Sequence, residues 1–128
     1  MMYRQLTDQA EKYLRSLYQQ DDIAGQLKRR LADLMACGEA NADAACRALK
    51  LSRRTLQRRL KAEKTSFQKI LQEVRAELAI NYLRDARLKS IEIAMLLGYS
   101  SISSFTTAFK SWHDMPPAQY RLKFLATP

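Results

Sequence analysis

Cysteine, histidine, glycine and proline are all scarce in this chain of 128 residues, which holds two, one, three and three of them respectively. Cys37 and Cys46 stand nine positions apart with no second pair, and His113 is the single histidine, so the ligand spacing of a zinc site cannot be assembled. No metal and no other cofactor is expected. Both cysteines read as small buried hydrophobes of a reduced, cytoplasmic protein. No apolar run reaches the roughly 18 residues of a membrane-spanning helix, and the N-terminus lacks the apolar core of a signal peptide. There is no glycine loop to cradle a phosphate and no pair of carboxylates in a cleft-like context, which leaves nothing to carry catalysis. With so little glycine and proline and no strand-like alternation, the fold must be nearly all helix.

Positive charge, by contrast, is in excess: 22 Lys and Arg face 13 Asp and Glu, for a net charge of +9. Such a balance favours an anionic partner, of which nucleic acid is the commonest. The distribution sharpens this. Between positions 41 and 64 eight basic residues (Arg47, Lys50, Arg53, Arg54, Arg58, Arg59, Lys61, Lys64) stand against Asp43 and Glu63, a local balance of +6.

Apolar spacing and capping residues divide the chain. A first amphipathic helix is expected from 8 to about 18, with Leu6 or Ala10, Leu14, Leu17 and Tyr18 on one face. Asp21 and Asp22 cap a second, carrying Ile23, Leu27, Leu31, Leu34 and Met35, and Gly38 ends it. Thr65 or Ser66 starts a long helix from about 67 to 84, roughly 27 Å at about 1.5 Å per residue. A last helix begins near Pro117, which suits a first helical position, and carries Tyr120, Leu122 and Phe124.

Between these lies a pattern written twice, at 42–60 and 91–109: a short apolar helix, a tight turn, a serine and a second helix. Leu49, Leu51 and Ser52 recur 48 positions later as Leu97, Tyr99 and Ser100, while Leu56 and Leu60 recur 49 positions later as Phe105 and Phe109, so the second turn gains one residue. Each copy is a helix-turn-helix, whose second helix stands proud of the surface and fits a major groove of duplex DNA. No flexible linker separates the copies. They are expected to form one rigid body, organised as an N-terminal helical extension (1–20), a first unit (21–65), a connecting helix (66–87) and a second unit with the C-terminal helix (88–128).

The outward face of each second helix decides what it can read. With Leu56 and Leu60 turned inward, Arg53, Arg54, Gln57, Arg58 and Lys61 face out; Arg pairs with guanine and Gln with adenine through two hydrogen bonds each. Elsewhere such a run would be a solvated basic face, but inside this motif it reads as a DNA face. In the second unit Phe105, Ala108, Phe109 and Trp112 turn inward, leaving Ile102, Ser103, Ser104 and Thr107 outward and Lys110 beyond. Hydroxyls accept from or donate to almost any base edge, so this helix should discriminate less than the first. Serines at a helix start also serve merely as caps. Arg75, Arg84, Arg87, Lys89 and Arg121 are candidates for phosphate contacts, or simply surface charges.

Three segments carry a family resemblance: Glu-Ile-Ala-Met-Leu-Leu-Gly-Tyr-Ser at 92–100, Phe-Thr-Thr-Ala-Phe-Lys-Ser-Trp at 105–112 and Met-Pro-Pro-Ala-Gln-Tyr-Arg at 115–121. Together with Leu-Ser-Arg-Arg-Thr-Leu-Gln-Arg-Arg-Leu at 51–60, Thr-Ser-Phe-Gln at 65–68 and Glu-Val-Arg-Ala-Glu-Leu-Ala at 73–79, they resemble the DNA-binding domain of AraC/XylS-type transcription regulators over about 23–121. The resemblance implies an all-α fold of about seven helices, here with an extra N-terminal helix. Two homeodomain-like helix-turn-helix subdomains would be joined by a long central helix and bind adjacent major grooves of a promoter. It implies recognition helices at 53–62 and 102–111, with Arg54, Gln57, Arg58, Ser103, Ser104 and Thr107 as base-reading positions. Ser52, Arg53, Lys61, Arg75, Ser100, Lys110 and Arg121 are then the DNA-backbone candidates.

Departures from the family pattern are Lys50, where a glycine often ends the first helix of the motif, Lys89 at a position usually Ser or Thr, Thr107 where Arg is common, and Asp114 in place of a Gly. The implied function is sequence-specific binding of double-stranded promoter DNA by a monomeric domain, usually activating transcription through RNA polymerase. No small-molecule site is expected, since residues 1–20 are too few to bind an inducer. The chain is either a compact regulator or the DNA-binding domain of a longer one. The rival reading is a helical interaction module that binds an acidic protein such as a polymerase subunit.

Overall fold

The computed structural model describes residues 4–125, and among these the backbone forms helices and no strand. In order they are α1 (Arg4–Leu17), α2 (Ile23–Ala36), α3 (Ala42–Leu49), α4 (Arg53–Ala62), α5 (Phe67–Leu83), α6 (Ser90–Leu96), α7 (Ile102–His113) and α8 (Pro117–Tyr120). The last runs on into one π-helical turn, Arg121–Leu125.

Short polar side chains fix where most of these helices start. Asp22, Asn41, Ser52, Ser66 and Ser101 each accept a hydrogen bond from the backbone N–H three residues on, in α2, α3, α4, α5 and α7. Such a cap contributes about 1 kcal/mol. Lys89, at the start of α6, has no acceptor to offer; instead Glu92 Oε1 accepts from the Lys89 backbone N–H at 2.9 Å. A further carboxylate acts from outside: Glu63, just past α4, accepts from the N–H groups of Ile23 and Ala24 at 3.1 Å each. Its charge also suits the positive N-terminal end of α2. The end of α4 is thereby tied to the start of α2.

Left-handed residues end the helices in the turns: Gly38 (φ 75°), Lys50 (φ 57°), Gly98 (φ 82°) and Asp114 (φ 60°). Lys50 and Gly98 occupy the same place in the two copies.

Leu27, Leu31 and Met35 of α2 and Ile70, Val74 and Leu78 of α5 are fully buried, and these two helices pack together as the frame of the molecule. Leu56 and Leu60 seat α4 against α2 and α3, and Phe105 and Phe109 seat α7 against α6 and α8, all four at 1% exposure or less. Burial of each such side chain contributes about 1.5–3 kcal/mol, so neither helix can roll without losing two anchors. The N-terminal extension joins the same core: Ala10 and Leu14 of α1 are fully buried, and the Tyr13 hydroxyl donates to Glu77 of α5.

Several expectations about individual residues are corrected. Leu17 is 45% exposed, because α1 ends there and the chain turns away before Tyr18. Cys46 is buried but Cys37 is exposed, since it caps the end of α2 one residue before the Gly38 turn, off the apolar face. Leu122 and Phe124 are exposed where α8 gives way to a π-helical turn; Phe124 keeps ring contact with Tyr120 at 4.8 Å between centroids but lies on the outside of it. Among the described residues no helix is long and apolar enough to cross a membrane, and no cluster of His, Cys, Asp and Glu is placed to hold a metal.

Candidate nucleic-acid interface

In the first unit, Ser52 both accepts from the Thr55 N–H and donates to the Thr55 hydroxyl, at 3.1 and 2.9 Å, which locks the first turn of α4. With Leu56 and Leu60 held in the core, the spacing of 3.6 residues per turn leaves Arg54, Gln57, Arg58 and Lys61 on the opposite side. All four are exposed. Among the described residues, no carboxylate lies within ion-pair distance of Arg54, Arg58, Arg59 or Lys61. Like charges three and four apart on one helix repel by a few tenths of a kcal/mol per pair, a cost that an anionic ligand would remove. Arg53 differs: its Nη1 lies 3.5 Å from Asp43 Oδ1 on α3, an exposed pair worth little in itself that draws the side chain toward the first helix of the unit.

The second unit is built alike and dressed differently. Phe105 packs edge-on against Phe109 at 5.9 Å between ring centroids, and Phe109 against Tyr120 of α8 at 5.4 Å. Outward lie Ile102, Ser103, Ser104 and Thr107, with Lys110 further along, all exposed. The helix cap is Ser101 rather than Ser100, which corrects the pairing of Ser100 with Ser52. Gly98 and Lys50 remain 48 apart while the capping serines are 49 apart, so Ser100 itself is the inserted residue. Ser101 Oγ also lies 3.0 Å from Ser104 Oγ, so the Ser104 hydroxyl is engaged with the cap.

Two expected phosphate contacts are corrected by burial and hydrogen bonding. Arg75 is only 9% exposed, and its guanidinium donates to the carbonyls of Leu97 and Gly98. Arg121 is half-buried and donates from Nε to the Leu83 carbonyl at 2.9 Å and from Nη2 to the Asp85 carbonyl at 3.1 Å, capping the end of α5. In both, a basic residue serves unpaired helix-end carbonyls, a use that charge counting along the sequence does not distinguish from an outward charge. Arg87 is exposed but paired with Asp85 at 2.9 Å, and the same contact holds the Asp85 carboxyl below its ordinary range. Arg84 and Lys89 are exposed.

A family model described as a helix-turn-helix domain matches residues 45–123, a stretch that takes in both α4 and α7. The ornithine utilization regulator of Pseudomonas aeruginosa is 36% identical over 114 residues, covering 88% of this chain and 33% of that protein. The urease operon transcriptional activator of Escherichia coli is 35% identical over 81 residues, covering 63% of this chain and 27% of that protein. Among solved structures, the C-terminal domain of AraT, a response regulator from Geobacillus stearothermophilus, matches with a TM-score of 0.69 at 27% identity, over 82% of this chain and 88% of that one. The chain spans about a third of the length of the two full regulators. With both units of the motif present, each carrying its buried anchors, the chain belongs to the AraC family of helix-turn-helix transcriptional regulators and comprises a DNA-binding domain of that type.

Proposed function

We propose that this domain binds double-stranded promoter DNA in a sequence-specific manner, as a monomer, with α4 and α7 in successive major grooves. The observation that carries the reading is the stripe of Arg54, Gln57 and Arg58, exposed, free of carboxylates among the described residues, and held outward by the buried Leu56 and Leu60. Arg54 and Arg58 read guanine, and Gln57 reads adenine. Ser103 and Thr107, with Ser104 partly committed to its cap, give α7 the weaker readout. Ser52, Arg53 and Lys61 contact the sugar-phosphate backbone beside α4, and Ser100 and Lys110 do so beside α7; such contacts set register without specifying sequence. The regulator acts in the cytoplasm as an activator that contacts RNA polymerase, in keeping with the urease operon activator among its relatives.

Selection from a random duplex library tests this reading. The expected result is an asymmetric motif with one strongly and one weakly specified half. Enrichment of no motif, together with retention of an acidic protein, would favour the interaction-module reading instead.

A further inference from the structure

If α4 and α7 serve one DNA site, the contact that joins their units has a task of its own, and the inference here rests on the DNA-binding reading above. Beside the apolar packing of α6 on α2 and α5, the polar part of that contact is small. Arg75, midway along α5, donates from Nε to the Leu97 carbonyl at 2.8 Å and from Nη2 to the Gly98 carbonyl at 3.3 Å. Its guanidinium lies 4.4 Å from the centroid of the Tyr99 ring. Gly98 is in the left-handed region, and a Cβ placed on it would meet Arg75 Nη2 at 3.3 Å and both the Ala40 Cβ and the Met35 carbonyl oxygen at 3.4 Å. Met35 is in the last turn of α2, and Ala40 precedes α3. Backbone of the first unit, an arginine of the central helix and the turn of the second unit therefore meet at one point.

Burying a guanidinium costs several kcal/mol unless its donors are satisfied. Among the described residues no carboxylate pairs with Arg75, so carbonyl bonds and the Tyr99 ring compensate it. An apolar side chain of like volume would fill the space without that cost but would leave the Leu97–Tyr99 turn unattached.

We infer that Arg75 is a positioning residue for DNA recognition: by holding the α6–α7 turn against α5 and the α2–α3 junction, it fixes the spacing and rotation between α4 and α7, and so the half-site spacing the domain accepts. One inserted base pair moves a half-site by about 3.4 Å and rotates it by roughly 34°, from about 10.5 base pairs per turn. A rigid domain cannot follow such a change.

The test uses the intact chain and duplex probes carrying the selected motif with one or two base pairs inserted between its halves, read by fluorescence anisotropy. The wild type is expected to lose on the order of tenfold in affinity per misplaced half-site, within the range of a lost base contact. Arg75→Met, which keeps length and helix propensity, should bind the native spacing more weakly yet lose markedly less on the altered spacings. Arg75→Lys, which keeps one donor for the Leu97 carbonyl, should recover part of the wild-type spacing preference. If both variants lower affinity by one common factor at every spacing, Arg75 is only structural and the inference falls. Should Arg75→Met fail to fold, the Arg75→Lys profile decides alone, and identity with the wild-type profile overturns the inference. A wild-type profile that is flat across spacings would overturn the two-groove reading, and this inference with it.

Discussion

The two copies of the motif put different residues at the same left-handed turn position, and exchanging their chemistry should move stability in opposite directions. Lys50 sits at φ 57°, ψ 44°. A residue with a Cβ is less favourable there by about 1–2 kcal/mol than in the right-handed region, whereas glycine meets no such cost. Glycine has more freedom to lose on folding, which returns about 0.4–1 kcal/mol to the unfolded state. Lys50 is exposed and, among the described residues, has no ion pair, so its side chain adds nothing to offset the difference. Lys50→Gly should therefore stabilise the domain by about 0.5–1 kcal/mol, or roughly 2–4 °C in Tm at about 4 °C per kcal/mol for a chain of this size. At Gly98 the exchange runs the other way. Alanine would meet the same left-handed cost, and its Cβ would press on a carbonyl oxygen and on an arginine nitrogen already fixed by hydrogen bonds, at 3.4 and 3.3 Å. With the same net strain of about 0.5–1 kcal/mol and about 1 kcal/mol for the crowding, Gly98→Ala should cost about 1–2 kcal/mol. Urea unfolding followed by circular dichroism, with an unchanged m-value as the check on two-state behaviour, measures both. A Lys50→Gly variant no more stable than the wild type would refute the strain reasoning, and a Gly98→Ala variant within a few tenths of a kcal/mol of it would refute the packing reasoning.

The remaining expectations concern DNA and pH. On the selected site, Arg58→Ala should cost about 1–3 kcal/mol and relax specificity at one base position, while Ser103→Ala and Thr107→Ala should each cost less; the reverse order in a gel-shift titration would make α7 the principal reader. Lys61→Ala should weaken binding about equally on all sequences and lower the slope of log affinity against log salt by about 1, and an unchanged slope would remove Lys61 from the backbone contacts. Burial first, then the bond to Glu77, push the Tyr13 hydroxyl up to about 12. A folded-state value above the unfolded one of about 10 means that this stabilisation is complete below pH 10 and is lost as pH rises toward 12. Tyr13→Phe should flatten the alkaline fall in Tm over that window, and an identical fall in both proteins would show that Tyr13 keeps its proton equally in the two states.

The elements of this fold are legible in the sequence because caps and apolar spacing are local. Asp22, Asn41, Ser52 and Ser66 each bond to an N–H three residues ahead, so a reader of the chain needs no knowledge of the distant partner. Leu56 with Leu60 and Phe105 with Phe109 likewise announce which face of each helix turns in. What stays hidden depends on pairs far apart: Glu63 with the start of α2, 40 residues away, Arg75 with Leu97, 22 away, and Arg121 with Leu83, 38 away. An arginine in a basic chain looks the same whether it ends in solvent or on a carbonyl. The repeat held one clue, because a central helix lying against the second turn must present something to the carbonyls that end α6. The pairing of Ser52 with Ser100 fails for a different reason: two serines stand in a row, and only the backbone distinguishes the inserted Ser100 from the cap Ser101.

If α4 and α7 read bases as proposed, the difference between their outward side chains accounts for Arg75 lying beside the second unit. Arginine and glutamine would reach base edges on side chains long and jointed enough to absorb an ångström of misplacement of α4. Serine and threonine could not, because their hydroxyls sit one bond beyond Cβ, so on that reading α7 would have to lie deeper in its groove and within a narrower tolerance to make any base contact. Ile102, 42% exposed at the start of α7, meets the same demand, since a thymine methyl rewards only close contact. A helix with short outward side chains would need close placement from its scaffold, and the buried Arg75 with its carbonyl bonds, the close approach at Gly98 and the edge-on packing of Phe105, Phe109 and Tyr120 are suited to supply it. The first unit, with longer outward side chains, would tolerate looser placement, and Leu56, Leu60, the Ser52 cap and the Glu63 tie to α2 suffice for it.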